Sequence, residues 1–425
     1  MPHANSLDKT LRERAAAVIP NGMYGHESVR LLPDVYPQFF GRAEGARLWD
    51  VDGREYLDFM CGYGPNLFGY RNHKIDMAAK AQAELGDAMT GPGAVMVELA
   101  EKFVQTIGHA SWVMFCKNGT DATTMAISTA RAHTDKRKIL VAKGAYHGAA
   151  PWCTPVPAGV VPEDRAHLIT YIYNDIESLE AAVIAAGDDL AGIVASPFKH
   201  DALVDQQMPD AAYARRAREI CDARGALLIV DDVRAGFRLA RDCSWSLVGV
   251  APDLSCWGKA IANGYPLSAL AGSEKARAAA GTLYVTGSFW FGAVPMAAGV
   301  ATLNEITSST YLEHTERLAT RFRNGLAEAS RRHSFGLRQT GPAQMPLILF
   351  EDDPDYRIGY GWAAEMVQRG IYVHPWHSMF FCSAMTDADI DQALGVADQA
   401  FAALHKGRAR LEPHSGLLAM LEARH

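Results

Sequence analysis

The chain has 425 residues and a formal net charge of −7, with 49% hydrophobic and 21% charged residues. This length suggests two domains of a soluble globular enzyme, and the charge gives no sign of a nucleic-acid or anionic-membrane partner. Seven scattered cysteines without a CxxC pair argue against a disulfide framework, and we predict no metal site.

The first twenty residues are polar and charged, without the apolar run of a signal peptide. No stretch reaches the ~20 apolar residues that a membrane helix needs. We therefore expect a cytoplasmic protein. Ser6 is placed to cap a first helix from about Leu7 to Val18, and RLWDVDGREYLDF predicts a hairpin that turns at Asp52-Gly53.

Two amphipathic helices are predicted around Lys74–Leu85 and Val95–Ile107. From Trp112 onward, apolar strands alternate with helices, which is typical of a mostly parallel sheet covered on both faces. The strands are WVMFC, KILVA, AGIVA, ALLIVDD, DLSCW and PLSALAGS, and the helices are TDATTMAISTARAHT and PDAAYARRAREICDARG.

The pattern becomes mixed after about Ala301, with helices near Leu312–Ser330 and Asp387–Leu404. We expect an α/β fold in which residues 60–305 form a large domain. Residues 1–59 and 306–425 are expected to form a smaller α+β domain.

Four segments at or just after the ends of predicted strands carry candidate site residues, because ligands bind beyond the carboxyl ends of parallel strands. Asn118-Gly119-Thr120 opens a helix, where free N–H groups suit a phosphate, although a tight turn with a threonine cap is the simpler interpretation. Asp231 ends a buried strand, so it needs a cationic partner, a metal, a helix cap or a pyridinium nitrogen.

Lys259 lies in SCWGKAIANGYP, with apolar and small neighbours on both sides. A desolvated lysine has a lowered pKa and can attack an aldehyde, whereas most lysines are solvated surface groups. Tyr146, in the Tyr146-His147-Gly148 segment, offers an aromatic face or ordinary core packing. Together these segments supply what pyridoxal phosphate needs: an amine, a partner for the ring nitrogen, a phosphate cradle and a stacking ring.

The same segments resemble those of class III aminotransferases of fold type I, in the glutamate-1-semialdehyde aminomutase branch. The resemblance covers nearly the whole chain and rests on FCKNGTDATTMAISTARAHTDKRKIL, GAYHG, LLIVDDVRAGFR and PDLSCWGKAIANGYPLSALAGS. It implies a pyridoxal-phosphate enzyme in which Lys259 is the Schiff-base lysine and Asp231 binds the pyridinium nitrogen.

The resemblance also implies roles around the cofactor. Val233 and Tyr146 would lie on opposite faces of the ring, and Gly119 and Thr120 would form the phosphate loop. Asn118 and His147 adjoin these residues and are counted as cofactor-binding. Ser288 stands where the family has a threonine that reaches the phosphate of the neighbouring subunit, which implies a homodimer.

Further segments resemble the fumonisin-degrading aminopentol aminotransferases, which move the amine of a long-chain amino-polyol to pyruvate; they are GMYGHES, YGPNL, MTGP, CSW, VTGSFWF and QTGPAQMP. The resemblance implies an omega-transaminase of the amine:pyruvate type. Arg30 matches a carboxylate-binding position, with a surface arginine as the alternative. Tyr24, His26, Tyr63 and Trp290 are candidate pocket walls or packing residues, and Trp376-His377 is a weaker candidate.

Several residues depart from the family pattern. Ser196 replaces a common glutamate, Asp232 replaces a glutamate, and Asn118 and Asp121 replace serine and glutamate beside the phosphate loop. GSFWFGAVP replaces G-T-x-x-G-N-P. These changes favour a remodelled, more aromatic pocket over that of an aminomutase.

Other functions stay open at this point. An aminomutase would shift the amine within one molecule, and a β-amino acid aminotransferase would use a different donor. A nucleotide-dependent oxidoreductase lacks support because no GxGxxG follows the first strand of the predicted sheet. A non-catalytic binding protein with this fold is disfavoured by the intact Lys259 and Asp231.

Overall fold

The computed structural model describes residues 6–422 and divides the chain into two compact units. Unit 1 contains the described residues up to Tyr63, residues 68–72 and those from Glu313 onward. Unit 2 contains Gly64–Leu67 and His73–Leu312. The domain limits expected from the sequence stay a prediction.

The chain begins in unit 1 with helix α1 (Leu7–Val18) and strands β1 (Phe40–Glu44), β2 (Arg47–Asp50) and β3 (Glu55–Asp58). Ser6 caps α1 by accepting a hydrogen bond from the Lys9 N–H, as predicted. Strands β2 and β3 pair antiparallel around Gly53, whose φ of 84° lies in the left-handed region that favours glycine. The predicted hairpin is therefore confirmed.

Unit 2 is built on a seven-stranded sheet with helices packed against it. The strands are β4 (Trp112–Cys116), β5 (Lys138–Ala142), β6 (Leu168–Tyr171), β7 (Leu190–Ala195), β8 (Leu227–Asp231), β9 (Leu254–Trp257) and β10 (Ser268–Gly272). The helices are α2 (His73–Leu85), α3 (Val95–Thr106), α4 (Gly119–Thr134), α5 (Ile176–Ala186), α6 (Ala211–Arg224), α7 (Glu274–Ala280) and α8 (Ala293–Ser308).

The strand order of this sheet is β4-β10-β9-β8-β7-β5-β6. All pairs from β9 to β6 are parallel, and β10 runs antiparallel to both of its neighbours. Every residue of β7 and β8 is buried, and successive side chains of a strand point to opposite faces. Both faces of the sheet are therefore covered, which confirms the predicted α/β architecture.

The chain returns to unit 1 with a mixture of helices and short strands. They are α9 (Tyr311–Arg332), β11 (Leu337–Thr340), β12 (Leu347–Phe350), α10 (Arg357–Gln368), β13 (Ile371–Tyr372), α11 (Asp387–Gly407) and α12 (Ser415–Glu422). Strand β13 adds parallel to β3 and completes the sheet β1-β2-β3-β13. Segments from both ends of the chain thus share one α+β unit.

Between residues 6 and 422, no helix is long and apolar enough to cross a membrane. The same residues contain no group of three or more His, Cys, Asp or Glu side chains arranged to hold a metal ion.

Candidate active site

Lys259 and Asp231 leave the same edge of the unit 2 sheet. In the parallel pairing of β8 with β9, Asp231 lies beside Cys256, and Lys259 follows directly after the end of β9 and Gly258. Lys259 is half-buried and begins a short 3-10 turn with a φ of 47°. A left-handed backbone is uncommon for a residue with a side chain, and such strain clusters at functional sites.

The carboxylate of Asp231 is buried and held from two sides. His147 Nδ1 lies 2.7 Å from Asp231 Oδ2, and the Val233 N–H donates to Asp231 Oδ1 at 3.2 Å. The histidine and aspartate side chains are 2% and 8% exposed. A buried carboxylate without a partner costs free energy of folding. The hydrogen bond with His147 offsets this cost for Asp231.

His147 is itself fixed by contacts with α4 and the loop after β5. Its ring stacks on that of Trp152 with 6.3 Å between centroids and 13° between planes. Trp152 Nε1 donates to Thr124 Oγ1 at 3.0 Å, and Thr123 Oγ1 donates to the His147 carbonyl at 2.7 Å. The other ring nitrogen of His147, Nε2, is buried and has no hydrogen-bond partner among the described residues.

The first turn of α4 offers backbone N–H groups at the same edge. Asn118 is the N-cap: its side chain accepts from the Asp121 N–H at 3.1 Å, and Asp121 accepts from the Asn118 N–H at 3.2 Å. The N–H groups of Gly119 and Thr120 are left without a partner within the helix, as at every helix start. Such a terminus suits an anion.

Glycines let the surrounding segments approach one another closely. A Cβ at Gly119 would lie 2.7 Å from Val233 Cγ1, and one at Gly258 would lie 3.3 Å from the same atom. A Cβ at Gly148 would lie 2.5 Å from Thr120 Oγ1, which accepts from the Ala149 N–H. The start of α4, Val233 and the residue before Lys259 therefore meet in one place.

The other unit 2 candidates lie in exposed segments. Tyr146 is 41% exposed, next to the buried His147. Ser288 is exposed in a turn, and Phe289 beside it is 69% exposed. Trp290 packs partly against the hydrophobic core of the unit.

Four candidates from the sequence lie in unit 1. Arg30 is exposed on a short 3-10 turn, and Tyr24 is 70% exposed. The rings of His26 and Tyr63 meet edge to face with 4.6 Å between centroids, and the Tyr63 hydroxyl donates to the His26 carbonyl at 2.8 Å. The structure thus brings His26 and Tyr63 together.

Tyr63 is positioned by His374 and Asp58, which the sequence analysis missed, and by His377, which it gave as a weaker candidate. Its φ is 63°, and its ring makes edge contacts with His377 and His374 at 5.2 and 6.3 Å between centroids. The preceding turn is fixed by Asp58, whose two carboxylate oxygens accept from the Met60 and Cys61 N–H groups. Burial raises the pKa of Asp58 to about 6.

Three further ionisable groups near Asp231 were also missed. Burial lowers the pKa of Arg234 to about 10, against the opposing influence of Tyr146, Asp231 and Asp201. Burial also raises the pKa of Asp201 and lowers that of His200 well below its usual value. Their position in the segments that follow the carboxyl ends of β7 and β8 was the feature of the sequence that could have identified them.

Asp232 is fully buried and anchors a neighbouring turn. It accepts hydrogen bonds from the N–H and the hydroxyl of Ser244, and burial raises its pKa to about 6. The next residue, Trp245, donates to the Ser196 carbonyl at 3.1 Å, and the Tyr173 hydroxyl donates to the same carbonyl at 3.1 Å. Ser196 is thus fixed through its backbone.

Comparison with known proteins places these observations in a family context. The family model for aminotransferase class-III matches residues 33–401. The aminopentol aminotransferase of Sphingopyxis macrogoltabida is 56% identical over 415 residues, which cover 98% of each chain. A glutamate-1-semialdehyde 2,1-aminomutase 2 of Bacillus cereus is 31% identical and covers 94% of this chain and 99% of that one.

The chain is also similar to a solved structure described as the PLP internal aldimine form of the Sphingopyxis sp. MTA144 FumI protein. The TM-score is 0.95 and the identity 57%, over 96% of this chain and 98% of that one.

Asp232 should make the stability of the protein depend on pH. Its folded pKa of about 6 exceeds the value of about 3.9 in an unfolded chain, so its contribution to stability is present at low pH and is lost as the pH rises through about 6. In the Asp232→Asn variant, the amide oxygen can accept the Ser244 N–H and the amide N–H can donate to the Ser244 hydroxyl. We expect the variant to gain about 2–3 kcal/mol relative to wild type between about pH 4 and pH 7.

Urea-induced unfolding over that pH range measures the effect. Asp58→Asn is the matched comparison: its amide N–H₂ would face a backbone N–H, so we expect that variant to be less stable at every pH. A constant difference between wild type and Asp232→Asn across the range would contradict the assignment.

Proposed function

Because this chain belongs to the class-III aminotransferases, we propose that it moves the amino group of a bulky or long-chain amine to pyruvate. The products would be a ketone and alanine, formed by a ping-pong mechanism. The chain is a pyridoxal-phosphate-dependent transaminase with fold type I, as its sequence predicted. The observation that carries the proposal is that Lys259, Asp231 and the start of α4 lie at one edge of one sheet.

The residues at this edge fit pyridoxal phosphate group by group. Lys259 supplies an amine for the aldehyde, Asp231 an anion for the ring nitrogen, and the N–H groups of Gly119 and Thr120 a cradle for the phosphate. Val233 and Tyr146 are proposed to flank the ring, with Asn118 and His147 fixing the segments around it. When bound, the cofactor supplies an electron sink for the carbanion left when the amine loses its Cα proton.

Lys259 is proposed as the acid and base of the reaction. Its Nζ would take the proton from the substrate Cα and return it after the electrons have shifted. Asp231 would keep the cofactor nitrogen protonated, and His147 on its other side keeps the carboxylate oriented. Lys259 would thus transfer the proton, whereas Asp231 would remain a fixed anion beside the ring nitrogen.

The substrate residues are proposed from their chemistry. Arg30 has an exposed guanidinium that suits the carboxylate of a keto acid. Tyr24, His26, Tyr63 and Trp290 offer aromatic surface with little charge, which favours an apolar or hydroxylated amine over a second carboxylate. An aminopentol, the substrate class in the name of the 56% identical relative, is an amine of this kind.

We further propose a homodimer with shared active sites. Ser288 is exposed, and it is flanked by exposed aromatic residues, of which Tyr284 is 93% and Phe289 69% exposed. Exposed aromatic surface of this kind marks interaction sites. Ser288 would bind the phosphate held by the partner subunit.

The proposed acceptor can be tested with a panel of amines and pyruvate. We expect alanine to form with bulky amines, and we expect Arg30→Ala to raise the KM for pyruvate about 10-fold or more, because a charge-assisted hydrogen bond contributes about 1.5–3 kcal/mol. The KM for the amine should change less.

Arg215→Ala, which removes an exposed arginine from α6, is the matched control and should behave as wild type. If no keto acid supports turnover while an amino group moves within a single substrate, the protein is an aminomutase. If β-amino acids are the only donors accepted, the alternative donor class is correct.

The shared site can be tested with mixed dimers. Ser288→Ala homodimers should bind pyridoxal phosphate more weakly, by about 5-fold or more for one lost hydrogen bond. In a mixed dimer of Ser288→Ala and Lys259→Ala subunits, the intact Lys259 receives the intact Ser288 of the other subunit, so one site should recover normal affinity. Activity at limiting cofactor measures this recovery.

Ser246→Ala, an exposed serine in the turn after Asp242, is the control for the loss of a hydroxyl. The shared-site proposal is wrong if the protein sediments as a monomer, or if the mixed dimers recover no activity at limiting cofactor.

A further inference from the structure

The segment that follows β7 carries a buried histidine for which the proposed reaction has no use. Strand β7 lies between β8 and β5, and the three strands are parallel. Asp231 ends β8 and His147 follows β5, yet their side chains are 2.7 Å apart. They therefore meet across the end of β7, and the segment with His200 leaves β7 at this point.

Close packing holds this segment against the loop that carries His147. A Cβ at Gly144 would lie 2.7 Å from Asp201 Oδ2, and the φ of Gly144 is 84°. The backbones of Lys199 and Gln207 exchange hydrogen bonds of 2.8 and 3.2 Å, which close the segment into a loop. His200 lies between Lys199 and Asp201, so its position is fixed on both sides.

Two imidazole nitrogens in this region are buried and unpaired. His200 Nδ1 and His147 Nε2 have no hydrogen-bond partner among residues 6–422. The two residues are 8% and 4% exposed. Buried polar atoms are nearly always hydrogen-bonded, either to protein or to ordered water.

Burial and the surrounding charges together determine how His200 is protonated. Burial lowers the pKa of His200 well below its usual value, and Arg234, His147 and Lys259 lower it further. The carboxylates in the neighbourhood are Asp201 and Asp231, which face Arg234. His200 is therefore neutral near pH 7, with one donor and one acceptor nitrogen.

We propose that His147 Nε2 and His200 Nδ1 bind one shared water molecule, so that His200 is a positioning residue for the Asp231–His147 pair. His200 Nδ1–H would donate to the water, and the water would donate to His147 Nε2. This arrangement places the remaining proton of His147 on Nδ1, where it is donated to Asp231. The proposed hydrogen bonds to the water do not depend on the function of the protein, whereas their effect on the cofactor rests on the proposed role of Asp231.

The apoprotein offers a direct test by NMR of ¹⁵N-labelled histidine. In wild type we expect His147 to have a protonated Nδ1 and an accepting Nε2. In His200→Ala, the Nδ1 proton should exchange with solvent about 5-fold faster or more, as expected for the loss of one hydrogen bond. In the holoenzyme, the pH midpoint of the cofactor absorbance should shift by roughly half a unit or more.

Two variants of similar size keep the test decisive if the alanine variant folds poorly. Asparagine can place a polar atom near the position of Nδ1, so His200→Asn should restore the wild-type resonances, whereas His200→Gln should not. His109→Asn changes a half-buried histidine of unit 2, which pairs with Ser255, and should leave His147 unchanged.

The proposal is overturned if His147 has the same ¹⁵N resonances and exchange rate in His200→Ala as in wild type, or if the asparagine and glutamine variants behave alike. Failure of the proposed role of Asp231 is distinguishable. It would appear as an unchanged cofactor spectrum in Asp231→Asn, with the effects of His200 on the apoprotein still present.

Discussion

The hydrogen bond between Asp231 and His147 is the interaction on which the rest of the site depends. A carboxylate at the end of a buried strand is costly unless it is paired, and this one is paired across a neighbouring strand. The pairing requires β8, β7 and β5 to end at the same level. It also requires the loop after β5 to be fixed, which the stack of His147 on Trp152 and the hydrogen bond from Thr123 achieve.

Close backbone approach is the second constraint. Val233 fills the space that a side chain at Gly119 would occupy, and the same valine lies against the space beside Gly258. The start of α4, the end of β8 and the turn with Lys259 can converge because these positions lack a Cβ. A cofactor that needs an anion, a helix terminus and an amine at once can be bound only where such segments converge.

Much of the architecture could be predicted because local patterns determine it. The Ser6 cap, the hairpin at Gly53 and the apolar strands β4, β5, β7, β8 and β9 each follow from a few adjacent residues, whereas the short strand β6 was not predicted. The antiparallel direction of β10 could not be predicted, since the composition of a strand does not encode its direction. Helix α8 was also missed: most of its residues are buried and its exposed positions are confined to its last turns, so no polar face runs along the helix to produce a helical pattern.

The site was predictable to a similar degree. Lys259, Asp231 and Gly119 carry chemistry that a motif can identify, whereas the role of each is still a proposal. The partners of Asp231 could not be read from the chain, because His147 lies 84 positions away in sequence and the pairing depends on strand order. The left-handed backbone of Tyr63 and its support by Asp58 are likewise properties of the folded unit.

Reductive trapping can identify the lysine that binds the cofactor, which we propose to be Lys259. Borohydride treatment of the yellow holoenzyme, followed by peptide mapping with mass spectrometry, should find the pyridoxyl label on Lys259 in wild type and no label in Lys259→Ala. A label on another lysine, or unchanged labelling of the Lys259→Ala protein, would show that Lys259 does not bind the cofactor.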